Sequence, residues 1–387
     1  MKSNNELKKF FPLLNQIVYF DSSAMMQKPF QVVEAGNDFY TKYAVSTRTS
    51  EATIGIKNKE TIENLRSKVA KLLNAKSGDK IVFTSGATDS LNKIASMLEI
   101  LIKKDDQILL SNYNHSSNIG PWILLANKVG AKVIFSENVE NDINEKTKIV
   151  AFSQVTNTLE KHFDIQKIRT KLQRNQGLII NDAAQAIVSE PVDLQLSDVV
   201  VFSANKFYGP TGFGVLAMQK HLAEQLQPTF IGGGTLDAVE KDGEICINQG
   251  VMNMEPGTPN LGAIHMFDAA IDFFNEHLGY KKTKATLEEI TKYLYNNLAN
   301  IPNLQLYNSN DNHIVLFNIK GIPAQDVAHY LATKNIYVRA GAFCAQYLKN
   351  TRSEKSFVRI SLAIYNDKTD CDALIAALKD GGDFLVV

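Results

Sequence analysis

The sequence predicts an α/β protein with a large domain on a mainly parallel, seven-stranded sheet and a smaller α/β domain in the C-terminal third. Three observations carry that prediction. Short runs of Val, Ile, Leu and Phe recur between Ile81 and Met218, each bounded by polar or glycine-containing stretches. Segments with helical spacing separate most of them, and such alternation at this spacing belongs to a sheet covered on both faces. Beyond Gly279 the strands become shorter and the character of the chain shifts. At 387 residues the chain is long enough for one large domain and one small one.

Taken in order, Val18-Tyr19-Phe20-Asp21 reads as a short strand, and Pro29 suits the first turn of a helix through Val32, Val33 and Phe39. Tyr43 to Thr53, rich in Ser and Thr and without period, reads as a loop. Ile62, Leu65, Val69 and Leu72 recur at helical spacing, ending near Asn74. Strands are predicted at 81–84, 107–110, 132–135, 148–152, 178–181, 199–202 and 214–218, with helices between them such as 91–102 and 165–173. A long helix is expected after Pro259, carrying Phe267, Ala270, Phe273 and Phe274, and another through Leu287, Ile290, Leu294 and Leu298. Strands at 313–319, 336–339 and 357–362, with helices near 324–333 and 370–378, complete the smaller unit. The expected division is 16–275 for the large domain, with 1–15 and 276–387 forming the small one.

Composition narrows the function. The chain is 44% hydrophobic and 21% charged, ordinary for a globular protein. Lys+Arg and Asp+Glu stand at 41 each, so nothing favours nucleic acid or an anionic membrane surface. No apolar run approaches ~18 residues, so no transmembrane helix is expected. Glu6 and Pro12 interrupt the N-terminal stretch where a signal peptide needs an unbroken apolar region. The three cysteines, Cys246, Cys344 and Cys371, form no complete disulfide framework, which suits a reducing cytoplasm. No metal site is expected.

The chemistry gathers around the stretch Val199 to Gly214. Lys206 follows a buried strand in a loop closed by Gly209-Pro210 and Gly212. Alone, such a lysine is an ordinary solvated residue. Upstream, Leu178-Ile179-Ile180-Asn181-Asp182 is another apolar run that ends on a carboxylate. A strand-end acid and a strand-end lysine in one α/β sheet point into one crevice, and that pair suits a pyridoxal phosphate enzyme, with a lysine for the Schiff base and an acid for the ring nitrogen. Phe83 to Asp89, FTSGATD, is a strand, a glycine turn and a helix start, which serves either as a phosphate cradle or as a plain helix cap. His115 follows another strand and is placed to stack on a flat ring or to act as a loop hydrogen-bonder. Asn157 and Gln185 are strand-end amides, Gln185 separated from Asp182 by two alanines.

Cys344 lies in Arg339-Ala340-Gly341-Ala342-Phe343-Cys344-Ala345-Gln346. A lone cysteine is commonly a small buried hydrophobe. The glycine, the polar residues after it and nearby Arg339 favour partial exposure and thiolate character. Cys246 and Cys371 lack such neighbours and read as structural. Arg359, within the apolar run Phe357-Val358-Arg359-Ile360, calls for an anionic partner, which a substrate carboxylate would supply bidentately.

Together, FTSGATDSLN, NDAAQA, SANKFYGPTGFG, GGGTL, EPGTPN, RAGAFCA and RISLAIYN resemble, in order, the class V aminotransferase superfamily of fold-type I pyridoxal phosphate enzymes. Within it the resemblance is to the group II cysteine desulfurases and selenocysteine lyases, from about Phe11 to Leu378. It implies that Lys206 carries pyridoxal 5'-phosphate and that Asp182 keeps the ring nitrogen protonated. Gln185 would bind the ring hydroxyl, His115 would stack on the ring, and Ala87, Thr88 and Ser203 would hold the phosphate. Asn205 stands where the family usually has a phosphate-supporting His. Thr258 would reach the phosphate of the neighbouring subunit in a homodimer. Asn157, Arg359 and Arg339 would meet the substrate, and Cys344 would accept its sulfur. The implied reaction converts L-cysteine to L-alanine with a persulfide on Cys344, feeding a sulfur-acceptor protein in iron–sulfur cluster or thio-cofactor assembly. Alternatives are a selenocysteine lyase or another class V enzyme acting on a small amino acid, and a catalytically silent binding protein of the same fold. Asp21-Ser22-Ser23-Ala24, Thr47-Arg48-Thr49 and Ala342-Phe343 depart from the family's Asn-Ala-Ala, His-Arg-Gly and His-His.

Overall fold

The computed structural model describes residues 5–49 and 51–381. Residues 1–4 and 382–387, assigned by sequence to the smaller domain, and Ser50, in the expected loop, lie outside them. A short strand β1 (Val18–Tyr19) precedes the strands of the large sheet, which are β2 (Lys80–Thr84), β3 (Gln107–Ser111), β4 (Lys132–Ser136), β5 (Thr147–Ser153), β6 (Leu178–Asp182), β7 (Val199–Ser203) and β8 (Gly214–Met218). Their order is β2-β8-β7-β6-β5-β3-β4. β8 runs antiparallel to β2 and β7, and every other pair is parallel. The mainly parallel seven-stranded sheet predicted from sequence is therefore present.

The alternation along β7 shows why its residues form a strand buried on both sides. Val200 and Phe202 face a core made with the helices Phe30–Asp38, Thr53–Leu72 and Leu261–Phe273. Val199 and Val201 face the opposite core, with Leu91, Ile94, Trp122 and Leu125. Each fully buried aliphatic side chain stabilises the fold by ~1.5–3 kcal/mol of transfer free energy. The helix Leu261–Phe273 starts where Asn260 caps it, its side chain accepting from the Ala263 N–H. The helix predicted at 91–102 begins earlier, at Ala87, and gives way at Leu98–Ile100 to a tighter turn. The small-residue start Ala87-Thr88 lacks an apolar period, so spacing alone places the beginning too late.

The C-terminal part forms a four-stranded antiparallel sheet, after a hairpin of β9 (Leu236–Val239) and β10 (Ile245–Ile247). Its strands are β11 (Leu304–Leu306), β12 (Ile314–Ile319), β14 (Arg339–Gly341) and β15 (Phe357–Ser361), in the order β11-β12-β15-β14. Leu287, Leu294, Val327, Leu331 and Leu374 pack on Val315, Phe317, Val358 and Ile360. The single strand expected at 336–339 is two. Ile336–Tyr337 (β13) pairs in parallel with β1, whereas β14 pairs with β15, so the chain changes sheets at Val338. Apolar alternation is continuous across that point and carries no sign of a change of partner. β1 thereby lies beside the second sheet, and its continuation at Asp21 bridges Ser361.

The hairpin β9–β10 and strand β11 have no counterpart among the predicted strands, because their residues are mostly exposed or half-buried. Cys246, read from sequence as structural, is exposed on β10, with no core around it. Cys371 is buried, and burial pushes its thiol well above the usual range.

At the N-terminal edge of the sheet, Asp198 is almost fully buried and accepts from Arg169 Nη1 at 2.9 and 3.1 Å, from the Ile179 N–H at 2.7 Å and from His221 Nε2 at 3.1 Å. Replacing Asp198 by Ala leaves the guanidinium without its carboxylate and is expected to cost about 3–5 kcal/mol, read as a shift of the urea midpoint. His221 has its pKa raised, first by its hydrogen bond to Asp198. Its share of stability is therefore full below about pH 6.5 and fades as pH rises through the raised value.

Candidate active site

The C-terminal ends of β2, β3, β5, β6 and β7 carry the polar residues singled out above, at the edge where open α/β sheets bind ligands. β6 ends on Asp182, which is buried. Its Oδ1 accepts from the Ala184 N–H at 3.1 Å and its Oδ2 from the Ser153 hydroxyl at 3.4 Å. Burial raises its pKa, and the largest opposing influence is the charge of Lys206. Lys206 sits in the single turn Ala204–Lys206 after β7, pinned by Ala204 N–H to Phe213 O and by Gly209 N–H to Ala204 O. Burial lowers its pKa, with Asp182 acting against it. Each group is pushed toward its neutral form by burial and toward its charged form by the other. A lysine in that position is an activated amine.

β2 leads through Gly86 into the helix Ala87–Met97. Gly86 has φ +152°, open to glycine, and a Cβ on Gly214 would stand 2.4 Å from Gly86 Cα, so the close approach of the two backbones requires glycine at 214. The Ala87 N–H donates to Ser203 Oγ at 2.7 Å, and the Thr88 and Ser117 hydroxyls are 2.7 Å apart. Three hydroxyls thus surround the first turn of an eleven-residue helix, whose free N–H groups suit a phosphate. His115 accepts through Nδ1 from the Ser117 N–H at 3.2 Å, which fixes its ring. Burial pushes its pKa down to about 4, helped by the charges of Lys206, Arg339 and Arg359. Gln185 donates to Ser23 O at 2.9 Å and lines one cavity with Lys206, Ser22 and His313. Asn205 donates to Ala24 O at 3.3 Å, so its side chain is engaged with the first turn after β1.

Arg359 is 1% exposed and already holds an anion, since its Nη2 donates to Asp21 Oδ1 at 2.6 Å. Its Nη1 donates to Asn157 O at 3.1 Å. Arg359 Nε and Asn157 Oδ1 are buried without a partner. An unpaired guanidinium N–H and an unpaired amide oxygen in one place fit a small zwitterion with a carboxylate and an acidic N–H. Arg339 lies opposite Arg359 in the β14–β15 register. The Cys344 loop closes over this corner. Asn157 Nδ2 donates to Phe343 O at 2.8 Å, and Cys344 O accepts from the Ser116 N–H at 2.7 Å and the Ser116 hydroxyl at 2.6 Å. Cys344 is exposed, as its sequence surroundings suggest. Thr258 is also exposed, in a loop whose Gly257 N–H donates to Gly233 O at 2.8 Å, and it does not line the Lys206 cavity.

The donor set fits pyridoxal phosphate. It offers a buried carboxylate for a basic ring nitrogen, an amine beside it, a histidine held neutral by burial, and hydroxyls at a helix start for a phosphate arm. Asp21 and Ser116 were not singled out for the site by sequence reasoning. For Asp21 the signal was available, because the run Val18-Tyr19-Phe20 ends on a carboxylate as Leu178 to Asn181 does.

The class-V aminotransferase profile matches residues 18–374. Among curated proteins, a probable cysteine desulfurase of Ureaplasma parvum is 36% identical over 396 residues, covering 97% of each chain. A cysteine desulfurase of Wigglesworthia glossinidia brevipalpis is 32% identical and covers 98% of each. Among solved structures, the Escherichia coli cysteine desulfurase CsdA, crystallised as its S-sulfonic acid, superposes with a TM-score of 0.92 at 29% identity over the whole of both chains. The apo cysteine desulfurase of Thermococcus onnurineus gives 0.91 at 27% over 98% of each.

Proposed function

The chain belongs to the class-V aminotransferase family and is a pyridoxal phosphate-dependent enzyme; from that premise we propose that it is a cysteine desulfurase, converting L-cysteine to L-alanine and leaving the sulfur on Cys344. The observation that carries this reading is the exposed Cys344, its carbonyl held by Ser116 and its neighbour Phe343 held by Asn157, beside the half-satisfied Arg359. An enzyme that only exchanged amino groups would need no thiol there.

In this reading Lys206 Nζ carries the cofactor covalently, Asp182 holds its ring nitrogen, Gln185 its hydroxyl, and Ala87, Thr88 and Ser203 its phosphate. When bound, the cofactor withdraws electrons from the substrate's Cα and so makes its proton removable. Arg359 Nε donates to the substrate carboxylate and Asn157 Oδ1 accepts from its amino N–H, which orients the Cα–H bond toward Lys206. Lys206 Nζ, its pKa lowered by burial, takes that proton. His115, neutral because burial holds its pKa near 4, packs against the ring without adding a cation to the site. Cys344 Sγ, as thiolate, attacks the substrate sulfur. An S–S bond forms as the substrate Cβ–S bond breaks, the released electron pair takes up a proton at Cβ, and Lys206 Nζ returns to Cα the proton it took, giving alanine.

A second copy of the chain is part of this proposal. Tyr40, Val33 and Ile56, on and next to the helices 30–38 and 53–72, are 71%, 53% and 45% exposed, with Phe230 at 55% and Met252 at 49%. Apolar surface of that extent suits a partner subunit, which would bring the exposed Thr258 to the other copy's phosphate. Among the described residues no helix is long and apolar enough to cross a membrane. A cytoplasmic enzyme feeding iron–sulfur or thio-cofactor assembly through an acceptor protein completes the proposal. A selenocysteine lyase is the second reading, since L-selenocysteine offers the same carboxylate and amino group to Arg359 and Asn157.

The test is alanine and sulfide measured together from L-cysteine, with and without a thiol reductant. Sustained turnover with reductant and arrest without it supports the desulfurase. Turnover of L-selenocysteine alone favours the lyase. Arg359→Lys keeps the charge but loses the planar fork, and is expected to raise KM for L-cysteine about 10–100-fold with a smaller change in kcat.

A further inference from the structure

Phe343 belongs to no role described so far, yet it touches both halves of the site. Its ring is 5% exposed and lies under the Arg359 guanidinium, whose central carbon is 4.7 Å from the ring centroid. That distance is within cation–π range, and at a desolvated site the attraction is strongest. The Phe343 carbonyl is held by Asn157 Nδ2 at 2.8 Å, and Asn157 in turn accepts from Arg359 through its own carbonyl at 3.1 Å. The triangle Arg359–Asn157–Phe343 is therefore closed on three sides. The next residue is Cys344. Phe343 and Cys344 have φ +53° and +59°, two consecutive non-glycine residues in the left-handed region. A pair in that conformation persists only where neighbouring contacts over-determine it. Those contacts are the ring on Arg359 before the cysteine and the two Ser116 donors on the cysteine's own carbonyl.

We propose that Phe343 is a positioning residue that couples the carboxylate grip to the thiol, its ring seated on Arg359 holding the left-handed Phe343-Cys344 pair so that Cys344 faces the substrate bound there. The inference rests on the desulfurase reading and deepens it. Phe343 itself makes no contact with the reacting atoms. It acts through Arg359 on one side and through the backbone of Cys344 on the other, so a change at either end is felt at both.

The experiment compares Phe343→Leu, which removes the π face at similar bulk, with Phe343→Tyr, which keeps it. Both are prepared as full-length protein loaded with the cofactor. Two quantities are read: the second-order rate of Cys344 alkylation by iodoacetamide, followed by peptide mass spectrometry, and the split between kcat and KM for L-cysteine. Phe343→Leu is expected to change the alkylation rate severalfold and to lower kcat about tenfold, while Phe343→Tyr stays within about twofold of the wild type in both. Arg359→Lys, which keeps the charge and loses the planar face, is expected to shift the alkylation rate in the same direction as Phe343→Leu, and it decides the matter if that variant fails to fold. Wild-type alkylation rates in Phe343→Leu, or in Arg359→Lys where Phe343→Leu does not fold, overturn the proposal. So does an equal loss in Phe343→Tyr and Phe343→Leu, since the ring face would then not be the cause. Alkylation needs no turnover. If wild-type protein forms no alanine from L-cysteine, the desulfurase reading fails while the alkylation contrast still stands or falls by itself.

Discussion

Lys206→Ala is expected to lower alanine formation from L-cysteine on the order of 10⁵-fold, the largest loss any single replacement in this chain should cause. The size follows from two duties in one atom. Lys206 Nζ both fastens the cofactor and moves the Cα proton, and among the described residues no other amine acts on the Asp182 charge at the end of the sheet. Lys28 is the other lysine whose pKa burial depresses, to about 8, but its Nζ donates to Met26 O at 2.6 Å and cannot serve in its place. The replacement should leave the fold intact, since Lys206 makes no hydrogen bond or ion pair among the described residues. The check is twofold: steady-state alanine release, and loss of the visible band of covalently held cofactor after dialysis. A variant that kept both would remove Lys206 from its assigned place.

Cys344→Ala should produce a different signature. Alanine formation from L-cysteine is expected to fall roughly 10³-fold, with the cofactor band and thermal stability unchanged. Cys344 is exposed and its side chain supports no packing, so nothing but chemistry is lost. The same variant separates the two leading readings. A Cys344→Ala protein that still releases selenium from L-selenocysteine at the wild-type rate makes the thiol dispensable and turns the enzyme into a lyase. Cys246 is the internal control. It too is exposed, but it lies on the β9–β10 hairpin and not in the loop that Ser116 and Asn157 hold beside Arg359, and Cys246→Ala should leave the rate alone.

What the sequence made legible follows from burial on two faces. β5, β6 and β7 are runs of β-branched and aromatic residues that can only be interior, and their ends locate Asp182 and Lys206 without any knowledge of neighbours. The same reasoning could not see what depends on a distant partner. Asp21 and Arg359 meet across 338 residues because β1 joins β13 and then leans on β15, and nothing in either local sequence announces that pairing. The split of β13 from β14 was hidden for the same reason. The hairpin β9–β10 was missed because its strands bury little, so apolar period, the signal that found the others, is absent there. Cys246 was misread with it. The Phe343 contact was hidden differently: as a departure from a family pattern it read as something lost, whereas the structure gives the ring a partner in Arg359.

The central claim is that sulfur leaves the substrate by way of Cys344. The most direct measurement is a reaction of stoichiometric L-cysteine with the loaded enzyme in the absence of reductant, quenched in time, with alanine quantified beside the mass of the Cys344 peptide. The account predicts that alanine and one added sulfur atom on Cys344 rise together, one for one, and then stop. Continued alanine formation with an unmodified Cys344 peptide would contradict it.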